Sequence, residues 1–307
     1  MGIKKDILNI ARPILLPFKN FFLNIIYLFK YNLELHYISR ENINAYLDNI
    51  KYEIDDDLQD LKKPLIFDPI TSIEKILSDK ISISRFGDGE FELLNNRPIL
   101  FQDNSPLLAQ RLKEILISDD PSIGIGIPHY YWHSLSNCND VVKNFTRKTI
   151  SHVRKEYEND IVFNKQYFST EFTQLYMTYH EGMDMNEYFE KIKEIWNGRD
   201  ITIIQGEGIT QNFKYDIFEN ALSKQYLLAP SKNAFNEYES LLQQSLTISK
   251  DRLVLIILGP TATVLAYDLA KAGYTALDMG HTSKDYDFYK KGVNKTLNNL
   301  NNFYSPD

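Results

Sequence analysis

The chain has 307 residues, 43% of them hydrophobic, with 34 basic against 41 acidic side chains and a formal net charge of −7. That length admits one large α/β domain or two small ones, the apolar fraction excludes general disorder, and the acidic balance argues against an electrostatically driven nucleic-acid binder. A single cysteine, Cys138, excludes a disulfide framework and a cysteine-rich zinc site, and fits a reducing cytoplasm.

The first thirty residues differ from the rest. Lys4, Lys5, Arg12, Lys19 and Lys30 stand there against a lone Asp6. Ile7, Ala11, Ile14, Phe18, Phe21, Ile25 and Leu28 recur at three- and four-residue steps, which predicts an apolar helical stripe kinked early by Pro13 and Pro17. Lys19 interrupts the run, which is too short for a membrane span, and no small-residue cleavage site follows. Two readings stand: residues 7–29 lie on an anionic membrane surface, or they pack on their own domain or a second subunit. Asp55, Asp56 and Asp57 then mark a polar linker or solvated helix surface.

Ile73, Ile76 and Leu77 predict a short helix over 72–78, capped by Thr71 or Ser72. Ile81-Ser82-Ile83-Ser84 alternates as a half-buried strand should, and runs into Arg85-Phe86-Gly87-Asp88-Gly89-Glu90 with a helix after Phe91. Residues 122–128 read as a strand ending at Pro128, 140–160 as a charged amphipathic helix, and 163–179 as an aromatic-rich surface or helix pair. Further strands fall at 200–205 and 226–230, with a helix over 234–245. Leu253 to Leu258 is the clearest buried strand. It meets Gly259-Pro260-Thr261, a helix over 262–272, Gly273 and a strand over 276–279, a βαβ unit with a right-handed crossover. This alternation gives an α/β class with a mostly parallel sheet.

Three strand ends carry chemistry. Asp88 and Glu90, two residues apart in an extended turn, can face one side and share a hard divalent cation, with Arg85 to counter phosphate charge. Gly87 and Gly89 leave room for a ligand and permit unusual dihedrals. The alternative is an acidic turn whose Asp caps the next helix. Gly259-Pro260-Thr261-Ala262-Thr263 offers a helix N-terminus and the Thr261 and Thr263 hydroxyls to an anion, against the alternative of an ordinary βα turn. Asp278-Met279-Gly280-His281 ends the next strand, where His281 is a base, metal ligand or phosphate donor, or simply structural. Asp285 and Asp287 read as surface charges. Glu207, between Gly206 and Gly208, can reach the same cleft. Gly124-x-Gly126 is a weak dinucleotide signal, His129 to His133 (HYYWH) is an aromatic cluster for stacking or for the core, and Cys138 is a spectator thiol.

Taken together, Ile83 to Glu90 (ISRFGDGE), Leu258 to Ala266 (LGPTATVLA) and Ala276 to His281 (ALDMGH) resemble the GT-D-type glycosyltransferases, bacterial enzymes first catalogued as a domain of unknown function. The resemblance spans about residues 70 to 290. It implies a Rossmann-like α/β fold, a mostly parallel sheet flanked by helices, distinct from the GT-A and GT-B layouts. It also implies a D-x-E motif at Asp88 and Glu90 holding manganese (or magnesium), and a UDP-sugar donor. His281 joins Asp88 and Glu90 as catalytic. Arg85, Phe86, Gly87, Gly89, Glu207, Gly259, Pro260, Thr261, Ala262 and Asp278 are implied as donor-binding, and Pro230 to Phe235 (PSKNAF) also looks like a family stretch. Two departures, Ile209 to Lys214 and Thr282 to Tyr286, bear on donor sugar and acceptor.

The chain then divides into a basic, apolar helical extension (1–60), a GT-D-like catalytic domain (61–293) and a polar tail (294–307). The expected activity is metal-dependent transfer of a sugar to a glycan acceptor, on protein or lipid carrier, in bacterial surface glycoprotein or polysaccharide synthesis. The expected place is the cytoplasm or the inner face of the cell membrane, with a homo-oligomer left open and no nucleic-acid partner. Two alternatives are a metal-dependent phosphohydrolase or nucleotidyltransferase, and a non-catalytic membrane-peripheral scaffold.

Overall fold

The computed structural model describes residues 18–23, 25–26, 62–179, 183–209 and 213–294. Contacts divide the chain into Met1–Lys51 and Tyr52–Asp307. In the first unit residues 18–23 and 25–26 are helical, with Phe18, Phe21, Phe22, Leu23 and Ile26 exposed. The rest of the 7–29 stripe, the acidic run at 55–57 and most of the polar tail lie outside the described residues. Among the described residues no helix is long and apolar enough to cross a membrane.

In the second unit the strands are β1 (Leu65–Ile66), β2 (Ser82–Arg85), β3 (Ile123–Ile127), β4 (Gln166–Ser169), β5 (Asp200–Gly206), β6 (Ser223–Ala229), β7 (Leu253–Ile257) and β8 (Ala276–Asp278). They form one sheet in the order β1-β4-β3-β2-β8-β7-β5-β6, and every neighbouring pair is parallel. The α-helices are α1 (Pro69–Asp79), α2 (Asp88–Leu94), α3 (Pro106–Leu116), α4 (Asp140–Phe145), α5 (Ser151–Asp160), α6 (Leu175–Thr178), α7 (Met185–Lys193), α8 (Tyr238–Ser245), α9 (Pro260–Lys271) and α10 (Thr282–Lys291).

Period-two alternation along the strands feeds two cores. In β7, Val254 and Ile256 join a cluster with Leu112 of α3, Tyr157 of α5, Leu241 of α8 and Leu265 of α9. Leu253, Leu255 and Ile257 join the opposite cluster with Ile73 of α1, Ile192 of α7 and Tyr286 of α10. Both faces of the sheet are therefore covered, which is why β7 has no polar residue to turn outward.

The same coverage corrects the reading of β2 as half-buried: all four of its residues are buried. Its serines are ties between elements. Ser84 Oγ donates to the Thr263 carbonyl at 2.7 Å, and Ser82 Oγ accepts from the Ala276 amide at 3.0 Å. Other boundaries shift for capping reasons. α1 is capped by Asp68, which accepts from the Thr71 amide at 2.9 Å, while Ser72 reaches sideways to the Ser169 amide. α2 starts at Asp88, four residues before the predicted start after Phe91.

The 163–179 stretch is neither a surface nor a helix pair. It holds β4, a 3₁₀ turn and the single-turn α6. Gly124, read as a weak nucleotide signal, has a packing reason instead. A Cβ there would come within 2.5 Å of the Phe168 ring on the neighbouring β4. The charged helix over 140–160 forms as α4 and α5 joined through a π-helical turn, Thr146–Ile150.

Candidate active site

β8 lies between β2 and β7 in the sheet. The helices that follow β2 and β7 bury their apolar residues in one core, and α10, which follows β8, in the other. The chain therefore parts over the carboxyl end of β8, where parallel α/β sheets bind ligands. The three strand-end motifs converge at that place.

At the floor, Arg85 ends β2 with a buried side chain. Its Nη1 stands 3.5 Å from Asp278 Oδ1, and its Nε and Nη2 donate to the Thr170 carbonyl at 3.3 and 3.2 Å. Asp278 also accepts from the Gly280 amide at 3.0 Å and from Thr263 Oγ1 at 3.4 Å. Burial pushes the Asp278 carboxyl upward, and the Arg85 guanidinium opposes that push. Gly280 has φ of +45°, and a Cβ on it would lie 1.8 Å from Arg85 Nη1. The guanidinium thus rests on bare backbone, so both the dihedral and the space demand glycine.

The Asp88-Gly89-Glu90 turn is helical, not extended. Gly87 is the N-cap of α2, and Glu90 Oε2 accepts from the Gly87 amide at 2.7 Å, which satisfies the cap's free N–H from the third helical position. Asp88 is exposed and Glu90 only half-buried in surface terms. Desolvation of the Glu90 carboxyl, with the Asp278 charge second, nonetheless pushes it up to about 7. Gly87 has φ of −100°, so its backbone needs no glycine. A Cβ on Gly89 would meet Ile99 at 3.2 Å, which makes close packing its reason. Phe86 is fully buried against Phe91, so its ring serves the core.

On the other side of β8, Gly259 (φ +52°) turns the chain into α9 with Pro260 in the first turn. A Cβ on Gly259 would stand 3.0 Å from the Phe101 ring. Thr261 is fully buried, and its Oγ1 has no hydrogen-bond partner among the described residues. A hydroxyl in that condition, within a helix's first turn, calls for a partner, a water or a ligand atom. Thr263 is not its equivalent, since its hydroxyl donates to the Arg85 carbonyl at 2.8 Å. Ala262 is buried in the core.

His281 is exposed and stands at the start of α10, where its side chain makes no cap. Glu207 is exposed at the carboxyl end of β5, one strand beyond β7, with its amide bonded to the Ala229 carbonyl at 2.8 Å. The PSKNAF stretch is clasped to the 99–103 loop. Asn233, at φ +53°, donates to the Phe101 carbonyl at 2.9 Å and exchanges side-chain bonds with Asp103. Cys138 is buried, and burial pushes its thiol up to about 12, as a spectator requires.

Asp285 and Asp287 correct the sequence reading most sharply, because both are fully buried. Asp285 accepts from the Tyr176 and Met177 amides at 3.1 and 2.7 Å. Asp287 accepts from the Lys214 and Tyr215 amides at 2.9 and 3.2 Å and pairs with Lys291 at 2.5 Å. α10 therefore holds the first turn of α6 and the 214–215 segment by buried carboxylates. A DxD in a charged helix gave no sign of this, because the partners are backbone amides distant in sequence.

The acidic groups also bear on a metal. Among the described residues no three His, Cys, Asp or Glu side chains gather into a cage. With Glu90 folded back onto the Gly87 amide, Asp88 is the exposed carboxylate of this turn, and a hard cation held there would complete its shell with phosphate oxygens and water.

Comparison with known proteins gives these arrangements a context. The family described as Glycosyltransferase GT-D fold matches residues 83–304. A probable glycosyl transferase Gly of Streptococcus gordonii is 30% identical over 226 residues, 74% of this chain and 33% of that protein. The glycosyltransferase GlyD of Streptococcus pneumoniae serotype 4 is 29% identical over 238 residues, 76% of this chain and 29% of that protein. The chain thus spans about a third of the length of these curated relatives. Among solved structures, a new glycosyltransferase (DUF1792) from Streptococcus sanguinis superposes with a TM-score of 0.73 at 30% identity, over 80% of this chain and 93% of that one. A structure of domain of unknown function 1792, described as having a distinct glycosyltransferase fold, gives 0.72 at 30% identity, over 82% and 88%.

Proposed function

The chain belongs to the GT-D glycosyltransferase fold family, and from that premise we propose that it transfers a sugar from a UDP-sugar to a glycan acceptor in bacterial surface glycoprotein or polysaccharide synthesis. The observation that carries this reading is the buried, unpartnered Thr261 hydroxyl in the first turn of α9, beside the Arg85–Asp278 pair. A helix N-terminus with a spare donor suits a diphosphate, the group that leaves when a nucleotide sugar reacts.

In this mechanism the α9 amides and the Thr261 hydroxyl bind the diphosphate, and Arg85 stabilises the charge that grows on it. Asp278 keeps the guanidinium in place. Asp88 and Glu90 would hold manganese or magnesium, whose charge supplies further neutralisation of the leaving group when bound. His281, exposed at the crevice, takes the acceptor's proton or donates to phosphate. Glu207 lines the outer side of the donor site.

Titration calorimetry of UDP with and without manganese, beside Asp88→Ala, tests the donor site. Metal-dependent binding that vanishes in the variant supports it; binding unaffected by either change removes it. Product analysis with a UDP-sugar separates transfer from hydrolysis: phosphate or nucleotide release that no acceptor stimulates would favour a phosphohydrolase.

The exposed Phe18, Phe21, Phe22, Leu23 and Ile26, in a segment rich in lysine and arginine, support peripheral contact with an anionic membrane at the cell's inner face. Co-sedimentation with phosphatidylglycerol vesicles, lost when Phe21 and Phe22 become Ser, tests this.

A further inference from the structure

The HYYWH cluster at the end of β3 divides in two. Tyr130, Tyr131 and Trp132 are buried in the core, which leaves His129 and His133 as its partly exposed members. These two imidazoles stack with centroids 3.7 Å apart and planes 9° from parallel. His133 Nδ1 lies 2.9 Å from the His129 carbonyl, which fixes Nδ1 as the donor and leaves Nε2 as an acceptor. The segment is braced from beneath by Glu171, a fully buried carboxylate that accepts from the Tyr130 amide at 3.1 Å and from Ser169.

Position gives the pair its meaning. β3 and β4 flank β2 on the side away from β8 and β7. Thr170, which accepts from Arg85, directly follows β4, as Pro128 and His129 follow β3. The Arg85 anchor therefore has the α9 N-terminus on one side and the imidazole pair on the other. A sugar in transit has its diphosphate on one side and its acceptor on the other. We propose that His129 and His133 form the acceptor subsite, a platform for one pyranose ring of a hydroxyl-rich glycan. This assignment rests on the glycosyl-transfer reading.

The chemistry matches such a ligand. His133, with its Nδ1–H given to the His129 carbonyl, offers a lone-pair acceptor at Nε2, and the stacked pair offers its outer ring faces, which meet a hydroxyl and the C–H face of a sugar. Burial holds His129 down at about 4, and His133 below its usual value, so both rings are neutral at cellular pH. Asp68 faces His129, while Lys63 and Glu171 face His133; none outweighs desolvation.

Saturation-transfer NMR on the full chain tests this with methyl β-D-glucoside and methyl 2-acetamido-2-deoxy-β-D-glucoside as probes. UDP calorimetry on the same samples runs beside it. The wild type should transfer saturation to the ring protons of at least one probe. His129→Ala and His133→Ala should each reduce that signal about fivefold, with UDP affinity changed less than about twofold. His129→Gln serves if an alanine variant melts early. No signal from either probe in the wild type, or an undiminished signal in the variants, overturns the subsite. Loss of UDP binding in the wild type would instead strike the donor reading and leave the glycoside result to be judged alone.

Discussion

The molecule carries two acidic pairs spaced alike, each in the helix that follows a central strand. Asp88 and Glu90 begin α2 after β2; Asp285 and Asp287 lie in α10 after the adjacent β8. As sequence they are near twins. In the fold, Asp88 is exposed at the crevice and Glu90 spends one oxygen on its own cap, whereas Asp285 and Asp287 are sealed and hold four backbone amides between them. A carboxylate open to solvent can take a ligand, whereas one saturated by amides is structural. The partner set, not the spacing, decides the role.

The strongest way to break this contrast is to remove one member of each pair. Asp88→Ala should lower the transfer rate by roughly 10²–10³-fold, the usual cost of one group that stabilises developing charge, with thermal unfolding unchanged. Asp287→Ala should do the reverse: a loss of about 2–3 kcal/mol in urea denaturation, from two stranded amides and an unpaired Lys291, with UDP affinity per folded molecule largely kept. If Asp287→Ala were silent in denaturation, or Asp88→Ala unfolded the chain, the contrast would fail.

A pH series sharpens it. Glu90 has a folded-state value of about 7, above its ordinary 4.5. A raised carboxyl contributes stability that is complete below the unfolded value and disappears as pH rises through the folded one. In metal-free buffer, Glu90→Gln should therefore gain on the wild type as pH goes from 4.5 to above 7, measured by denaturant midpoint. Manganese should narrow that gap in the wild type alone. A gap that stays constant with pH removes the assigned cause. His129 has the opposite sign, because a histidine depressed to about 4 costs stability as pH falls below 6.5.

The smallest expected effect is at Thr261. Thr261→Val keeps the shape and deletes a buried hydroxyl that has no protein partner, so unfolding stability should hold or rise by about 1 kcal/mol while UDP affinity falls about fivefold. Unchanged UDP affinity would take the hydroxyl out of the site.

Local chemistry made much of this legible. The run LVLII at β7 and the Gly259-Pro260 entry to α9 announce themselves through hydrophobicity and turn residues, and the GT-D motifs put Arg85, Asp88 and Asp278 on one sheet edge. What escaped depends on distant partners. Gln166–Ser169 hides a strand because its hydrophobic alternation is brief and its packing partner is Gly124, about forty residues earlier. Ser82 and Ser84 looked solvent-facing because their bonds lie nearly two hundred residues away. Asp285 and Asp287 looked superficial for the same reason.

That long reach has a consequence for synthesis. Arg85 and Asp278, 193 positions apart, meet only when β8 slides between β2 and β7. At the ribosome's roughly 5–20 residues per second, the arginine waits about 10–40 s for its carboxylate. Through most of that interval β2 lacks the strand that will flank it, because β7 and β8 both emerge only at the end, which leaves the β2 edge for chaperones to guard. The Arg85–Asp278 pair thus belongs to the late contacts of the sheet, made after most of its strands have emerged.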